Sequence, residues 1–255
     1  MILLSHDIRK DKKERTPKKI RIGKKGILTF LCVLAGICAF LVSPVFTIKN
    51  IEITEMEKYT KDEICEMVNI KEGMNMFLFN RFYAMKTLKS NTYIESAKIS
   101  YKLPDTVAIT IDERKVRGYV PYMGSYLYID EEGRVLEVSS EMNRALPVVY
   151  GLNFSSFTLG EKIEAENKEA FDIMVNIAYL MSKYELLDMV VKIDVSNPDK
   201  ILAYVNKVEV NLGDMSNGDR KIRTMAEVIK NINENDRGSL DLSDLSKPII
   251  FKYLT

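Results

Sequence analysis

The stretch ILTFLCVLAGICAFLVSPVF, Ile27 to Phe46, runs for twenty residues without a charged side chain. Built as a helix at about 1.5 Å per residue, it would span roughly 30 Å, the thickness of a bilayer's hydrocarbon core. A buried core helix seldom lacks a polar face, and this run has none. A cleaved signal segment has an apolar centre of roughly 7–15 residues followed by an Ala-x-Ala site. This run is longer, and no such site follows it. Cys32 and Cys38 do not head a lipoprotein site either, because Phe30-Leu31 and Gly36-Ile37 precede them. The expectation is one uncleaved transmembrane helix over residues 27–46.

Charge gives that helix a direction. The net charge of the chain is only +1, yet residues 1–26 hold ten Lys/Arg against Asp7, Asp11 and Glu14. The head therefore carries +7 and the remainder −6. Basic residues on one flank place that flank in the cytoplasm, which leaves 209 residues outside. The head reads as a topology determinant touching anionic lipid, at about 1 kcal/mol per Lys/Arg, and not as a nucleic-acid site. Only Cys65 lies beyond the apolar run, so no disulfide is expected outside. The single histidine, His6, is in the basic head, and no metal site is expected.

Beyond the run the periodicity changes. FTIKNIEIT (Phe46–Thr54) reads as a strand. Thr60 and Glu63 form a capping box before Ile64, Met67 and Val68. Asn80 caps a second helix in which Ala84 and Leu88 share a face. YIESAKISY and TVAITIDER then read as a hairpin turning on Leu103-Pro104-Asp105, with Val107, Ile109 and Ile111 facing the core. The order strand-helix-helix-strand-strand packs as two helices on one face of a three-stranded sheet.

The rest of the chain is richer in strands. YLYIDEEGRVLEV is a hairpin around Asp130–Gly133, whose acidic residues read as a solvated turn. Phe171, Met174, Val175 and Ala178 mark a helix. ILAYV and VEVNLG pair across a two-residue turn, and Ile222, Met225, Ala226, Ile229 and Ile232 mark a further helix, with Lys221 at its start. PIIFKYLT is strand-like and ends the sequence.

Several of these segments together resemble the FtsQ/DivIB family of bacterial cell-division proteins. FTIKNIEI is similar to that family's first strand, GMNMF to the element after its first helix, and LPDTVAITIDER to its hairpin ending in Glu-Arg. Leu103 stands where the family usually has an aromatic residue. DEEGRV, LPVVYGL and SLDLSDL continue the likeness in order. The resemblance implies an α+β chain: the anchor at 27–46, a β-α-α-β-β POTRA domain at 46–114, and a larger mixed β domain at 115–255 with helices on its sheet. It also implies a single-pass scaffold at the division septum that holds DivIC/FtsB-like and FtsL-like partners and helps control septal peptidoglycan synthesis.

The residues point away from catalysis. Beyond the apolar run there is no histidine to activate a nucleophile, and there is no Gly-rich phosphate loop, so neither an enzyme nor a cofactor is expected. An anchored ligand sensor is the other function compatible with a single anchor and an outer part. A basic tail of 26 residues without an apolar face is too small for a signalling domain. Ile249, Ile250, Phe251, Lys252 and Tyr253 are the candidate partner-binding residues, because a terminal edge strand exposes backbone groups that another strand can pair.

Overall fold

The computed structural model describes residues 24–142 and 145–254. The basic head, apart from its last three residues, lies outside them. The first element, α1 (Lys24–Leu41), covers most of the apolar run but stops short of the expected end. Pro44 has no N–H to donate and disfavours helical geometry at Ser43, so the chain leaves α1 there and makes a short 3-10 turn over Pro44–Phe46. The fifteen apolar-run residues inside α1 reach roughly 22 Å. Among the described residues no helix is long and apolar enough to cross a membrane.

The next unit follows the order read from the sequence: β1 (Asn50–Ile53), α2 (Lys61–Met67), α3 (Arg81–Ser90), β2 (Ile94–Lys102) and β3 (Thr106–Glu113). Both caps form. Thr60 and Glu63 satisfy each other's backbone N–H groups at the start of α2, and Asn80 accepts from the Tyr83 N–H at the start of α3. The three strands run in the order β1-β3-β2, with β3 parallel to β1 and antiparallel to β2. Ile109 on the central strand lies opposite both Ile53 and Ile99. Its face meets Ile64 and Val68 of the first helical segment and Ala84 and Leu88 of α3 in one buried cluster.

A second sheet has nine strands. In chain order they are β4 (Gly118–Tyr122), β5 (Ser125–Ile129), β6 (Val135–Ser139), β7 (Val148–Tyr150), β8 (Val190–Asp194), β9 (Ile201–Val205), β10 (Val208–Gly213), β11 (Gly238–Asp241) and β12 (Phe251–Tyr253). Across the sheet they lie as β12-β11-β10-β9-β8-β7-β4-β5-β6. Helix α4 (Lys168–Lys183) connects the parallel strands β7 and β8, and α5 (Gly218–Lys230) connects the parallel pair β10 and β11. In β9 the buried residues are Ile201, Ala203 and Val205, facing the helices, while Leu202 and Tyr204 point to the opposite face.

The α5 stripe matches its sequence pattern through Ile229, with Ile232 just past the helix. The α4 stripe is rotated from the expected one: Ala170, Met174, Ile177, Leu180 and Met181 are buried, and Phe171 and Val175 pack only at the margin. Phe171 is instead held over the hairpin glycine. A β-carbon on Gly133, whose φ is +75°, would sit 2.7 Å from the Phe171 ring. That residue must therefore be glycine both for its backbone and for the ring above it.

Candidate functional site

The polypeptide reaches the sheet edge through two tight turns. After β11, Asp241 accepts from the N–H and hydroxyl of Ser243, and Asp244 does the same for Ser246. The Ser246 hydroxyl and N–H, with Lys247, hold the Asp244 carboxyl down to about 2. These turns reverse the chain, and β12 lies antiparallel on β11, with Gly238 opposite Tyr253 and Leu240 opposite Phe251.

Of the five expected partner-binding residues, three form the strand. Ile249 and Ile250 precede it, exposed. Phe251 faces the helix side and packs against the core, its ring edge-on to Tyr253 at 4.7 Å between centroids. Gly238 makes room for it, since a β-carbon there would lie 2.3 Å from Phe251 Cζ. Tyr253 remains 66% exposed. Lys252 and Ile250 line a shallow cleft on the other face, with Glu209, Asn211 and Asp241. The Leu254 N–H donates to the Arg237 carbonyl at 2.9 Å. In an antiparallel ladder this alternation turns the N–H and C=O groups of Phe251 and Tyr253 away from β11, along the open edge. The edge thus offers backbone donors and acceptors flanked by exposed apolar side chains.

A second polar cluster joins the two sheets, and most of it was not legible in the sequence. Asp130, expected in a solvated turn, is 3% exposed. Its Oδ1 accepts the N–H groups of Glu132 and Arg134, both at 2.9 Å. Its Oδ2 accepts from Arg114 Nη1 at 3.2 Å. Burial is possible because the carboxylate is fully bonded. Glu113, the neighbour of Arg114, accepts the N–H groups of Glu57 and Lys58 at 2.7 and 2.8 Å. The Glu-Arg pair closing β3 therefore acts in two directions: Glu113 fastens the loop after β1, and Arg114 reaches the hairpin of the second sheet.

Glu137 of β6 completes the joint. It accepts from Lys58 Nζ and from the Tyr93 hydroxyl, both at 2.6 Å, and the Thr92 hydroxyl donates to the Leu136 carbonyl at 2.7 Å. Partial burial pushes the Glu137 carboxyl up, but the Lys58 and Tyr93 hydrogen bonds outweigh it and hold the group below the usual carboxylate range. Burial and the Glu137 contact push the Tyr93 hydroxyl well up. The cleft at this joint, about 200 Å³, is lined by charged residues together with Tyr93, Tyr119 and Tyr128. Among the described residues no group of three or more His, Cys, Asp or Glu is placed to hold a metal ion.

This architecture is that of a POTRA unit followed by a large mixed sheet. Residues 46–114 match the family model for the POTRA domain, FtsQ-type, and residues 118–245 match that for the C-terminal region of cell division protein FtsQ/DivIB. The chain belongs to the FtsQ/DivIB family of cell division proteins. It is 28% identical over 237 residues to cell division protein DivIB of Clostridium botulinum strain Hall, covering 92% of this chain and 93% of that one. With DivIB of Bacillus subtilis strain 168 it shares 24% identity over 243 residues, covering 95% and 88%. A solved extracytoplasmic domain of DivIB from Geobacillus stearothermophilus overlays 47% of this chain and 87% of its own at 18% identity, with a TM-score of 0.29, too low to bear on the fold.

Proposed function

We propose that this protein is a non-enzymatic, membrane-anchored scaffold of the division machinery, with 46–114 and 115–255 as its two extracytoplasmic domains. In this reading a strand from a DivIC/FtsB-like partner, itself associated with an FtsL-like protein, adds to the free edge of β12. The single observation that carries it is that edge: outward-facing backbone groups of Phe251 and Tyr253 beside exposed Ile249, Ile250 and Tyr253. Edge strands of this kind are usually blunted or used, and backbone pairing supplies affinity while side chains supply specificity. Tyr253 serves as the aromatic anchor, with Phe251 holding it in place from the core side. Binding there would couple the partner to septal peptidoglycan synthesis, with no nucleic acid and no cofactor involved.

The anchor is part of the same proposal. Ile27, Leu28, Phe30, Leu31, Val33, Leu34, Ile37 and Phe40 are all exposed on α1. A helix apolar on every side has no stable place in water. Val42 and Val45, also exposed, prolong the apolar surface past its end toward the length a bilayer requires. The basic head then lies in the cytoplasm and the rest outside, at the septum.

Truncation after Ser246 tests the interface. The truncated protein should still reach the membrane and keep its first unit folded, while losing both partner capture and recruitment of the partner to midcell. Normal partner binding by the folded truncation would place the interface elsewhere.

A further inference from the structure

Several large apolar side chains of the POTRA unit are exposed at the edge of its core or beyond it. Leu78 is 67% exposed and Phe82 90% exposed, and Phe77, Tyr83 and Leu103 at the hairpin tip are exposed as well. Helix α3 turns Ala84 and Leu88 inward, so Phe82 is on neither buried position of that helix.

Contacts with α1 fix where these side chains lie. The Asn75 side-chain amide donates to the Leu41 carbonyl at 3.0 Å and to the Ser43 carbonyl at 3.4 Å, at the end of α1. Its Oδ1 accepts the Phe77 N–H at 3.0 Å. The Phe77 ring is 5.0 Å from Phe46, and the Phe46 ring is 5.2 Å from Phe40 in the last turn of α1. On its other side Phe77 lies 6.3 Å from Tyr101, two residues before Leu103. The segment starting at Asn75 therefore abuts the helix end directly.

We propose that Phe77–Tyr83 is a second membrane contact, an interfacial segment that inserts Phe77, Leu78 and Phe82 into the headgroup region of the bilayer holding α1. The inference rests on the anchor proposed above. If α1 is embedded, the level at which it leaves the hydrocarbon is also the level of Phe77 and Leu78, because Asn75 is bonded to both Leu41 and Ser43. Aromatic side chains favour this interface, and Arg81, exposed between Leu78 and Phe82, can extend to lipid phosphates. The bilayer is the favoured occupant over a protein partner because the patch continues the apolar surface of Phe40, Val42 and Val45. Two points of attachment would set the tilt of the POTRA unit.

The test uses the full chain in vesicles of phosphatidylethanolamine and phosphatidylglycerol, with Cys32, Cys38 and Cys65 changed to alanine. An environment-sensitive fluorophore is placed on Leu78→Cys, on Leu34→Cys within α1, or on Met123→Cys in the β4–β5 turn as the water-exposed reference. All three positions are exposed in the isolated chain, so labelling leaves the core intact. A lipid spin-labelled near its headgroup should quench the Leu78 probe, a lipid spin-labelled deep in its acyl chain should quench the Leu34 probe, and iodide should reach Leu78 far less than the Met123 probe. Lipid quenching at Leu34 with free iodide access at Leu78 would overturn the inference and leave the anchor standing. Shielding at Leu78 from both quenchers would also overturn it, by showing a protein surface there. Absence of lipid quenching at Leu34 would overturn the anchor and this inference with it.

Discussion

Asp130 should be the most informative single residue for how the two sheets are held together. Asp130→Ala removes a buried acceptor from two backbone N–H groups and from Arg114. Hydrogen bonds to a charged group are worth about 1.5–3 kcal/mol each, and breaking a buried ion pair costs about 3–5 kcal/mol. The Arg114 side chain keeps 16% exposure, so water can compensate part of its loss. The expected destabilisation is about 4 kcal/mol for Asp130→Ala. Asp130→Asn can keep Oδ1 toward Glu132 and Arg134 while losing the ion pair, and should cost about 2 kcal/mol. Urea unfolding of residues 46–255, followed by tyrosine fluorescence, measures both. A double-mutant cycle with Arg114→Met then isolates the link between the units, with a coupling of about 1–2 kcal/mol expected. If Asp130→Asn costs the same with or without Arg114, the pair contributes nothing across the joint.

Three further outcomes follow from the same geometry. Ile109→Asp places an unpaired carboxylate between Ile53 and Ile99 and should cost several kcal/mol, removing the first unit's calorimetric transition; wild-type melting would refute the register. Gly238→Ala should drive β12 off the sheet, because its β-carbon would meet Phe251 Cζ at 2.3 Å and the Lys252 carbonyl at 2.7 Å; rapid exchange of the Lys252 and Leu254 amides would report it, and wild-type protection would contradict it. The Glu137 carboxyl titrates below its ordinary 4.5 in the folded chain, so the stability it contributes is present above that pH and is lost as pH falls through the lower folded value. Glu137→Gln should therefore flatten the acid limb of a thermal-stability profile, and an unchanged slope would show that the joint does not titrate.

How much of this was readable in the chain depends on the range of the interactions. The capping residues Thr60 and Asn80 and the apolar stripes of β3 and α5 are local signals, and the structure follows them. The α4 stripe differs from its sequence pattern by a small rotation, because Phe171 satisfies a helical period yet packs over Gly133 on a hairpin far away in sequence. By sequence Asp130 is like any acidic turn residue; in the fold its buried carboxylate pairs with Arg114, which follows β3 of the other unit. The spacing of Asp130 and Arg134 within one hairpin was the available hint. At the C-terminus the strand-like composition was clear. Only the pairing register could reveal that Phe251 is packed by its own sheet and that Tyr253 is the freer ring.

Addition of a partner strand to β12 would be read out by amide exchange of Phe251 and Tyr253 during titration with the extracytoplasmic part of a DivIC/FtsB-like partner. Their N–H groups point to the open edge, whereas those of Lys252 and Leu254 already face β11. Binding should slow exchange at Phe251 and Tyr253 strongly and change Lys252 little. A saturated complex in which Phe251 and Tyr253 exchange as fast as in the free protein would rule out strand addition at this edge.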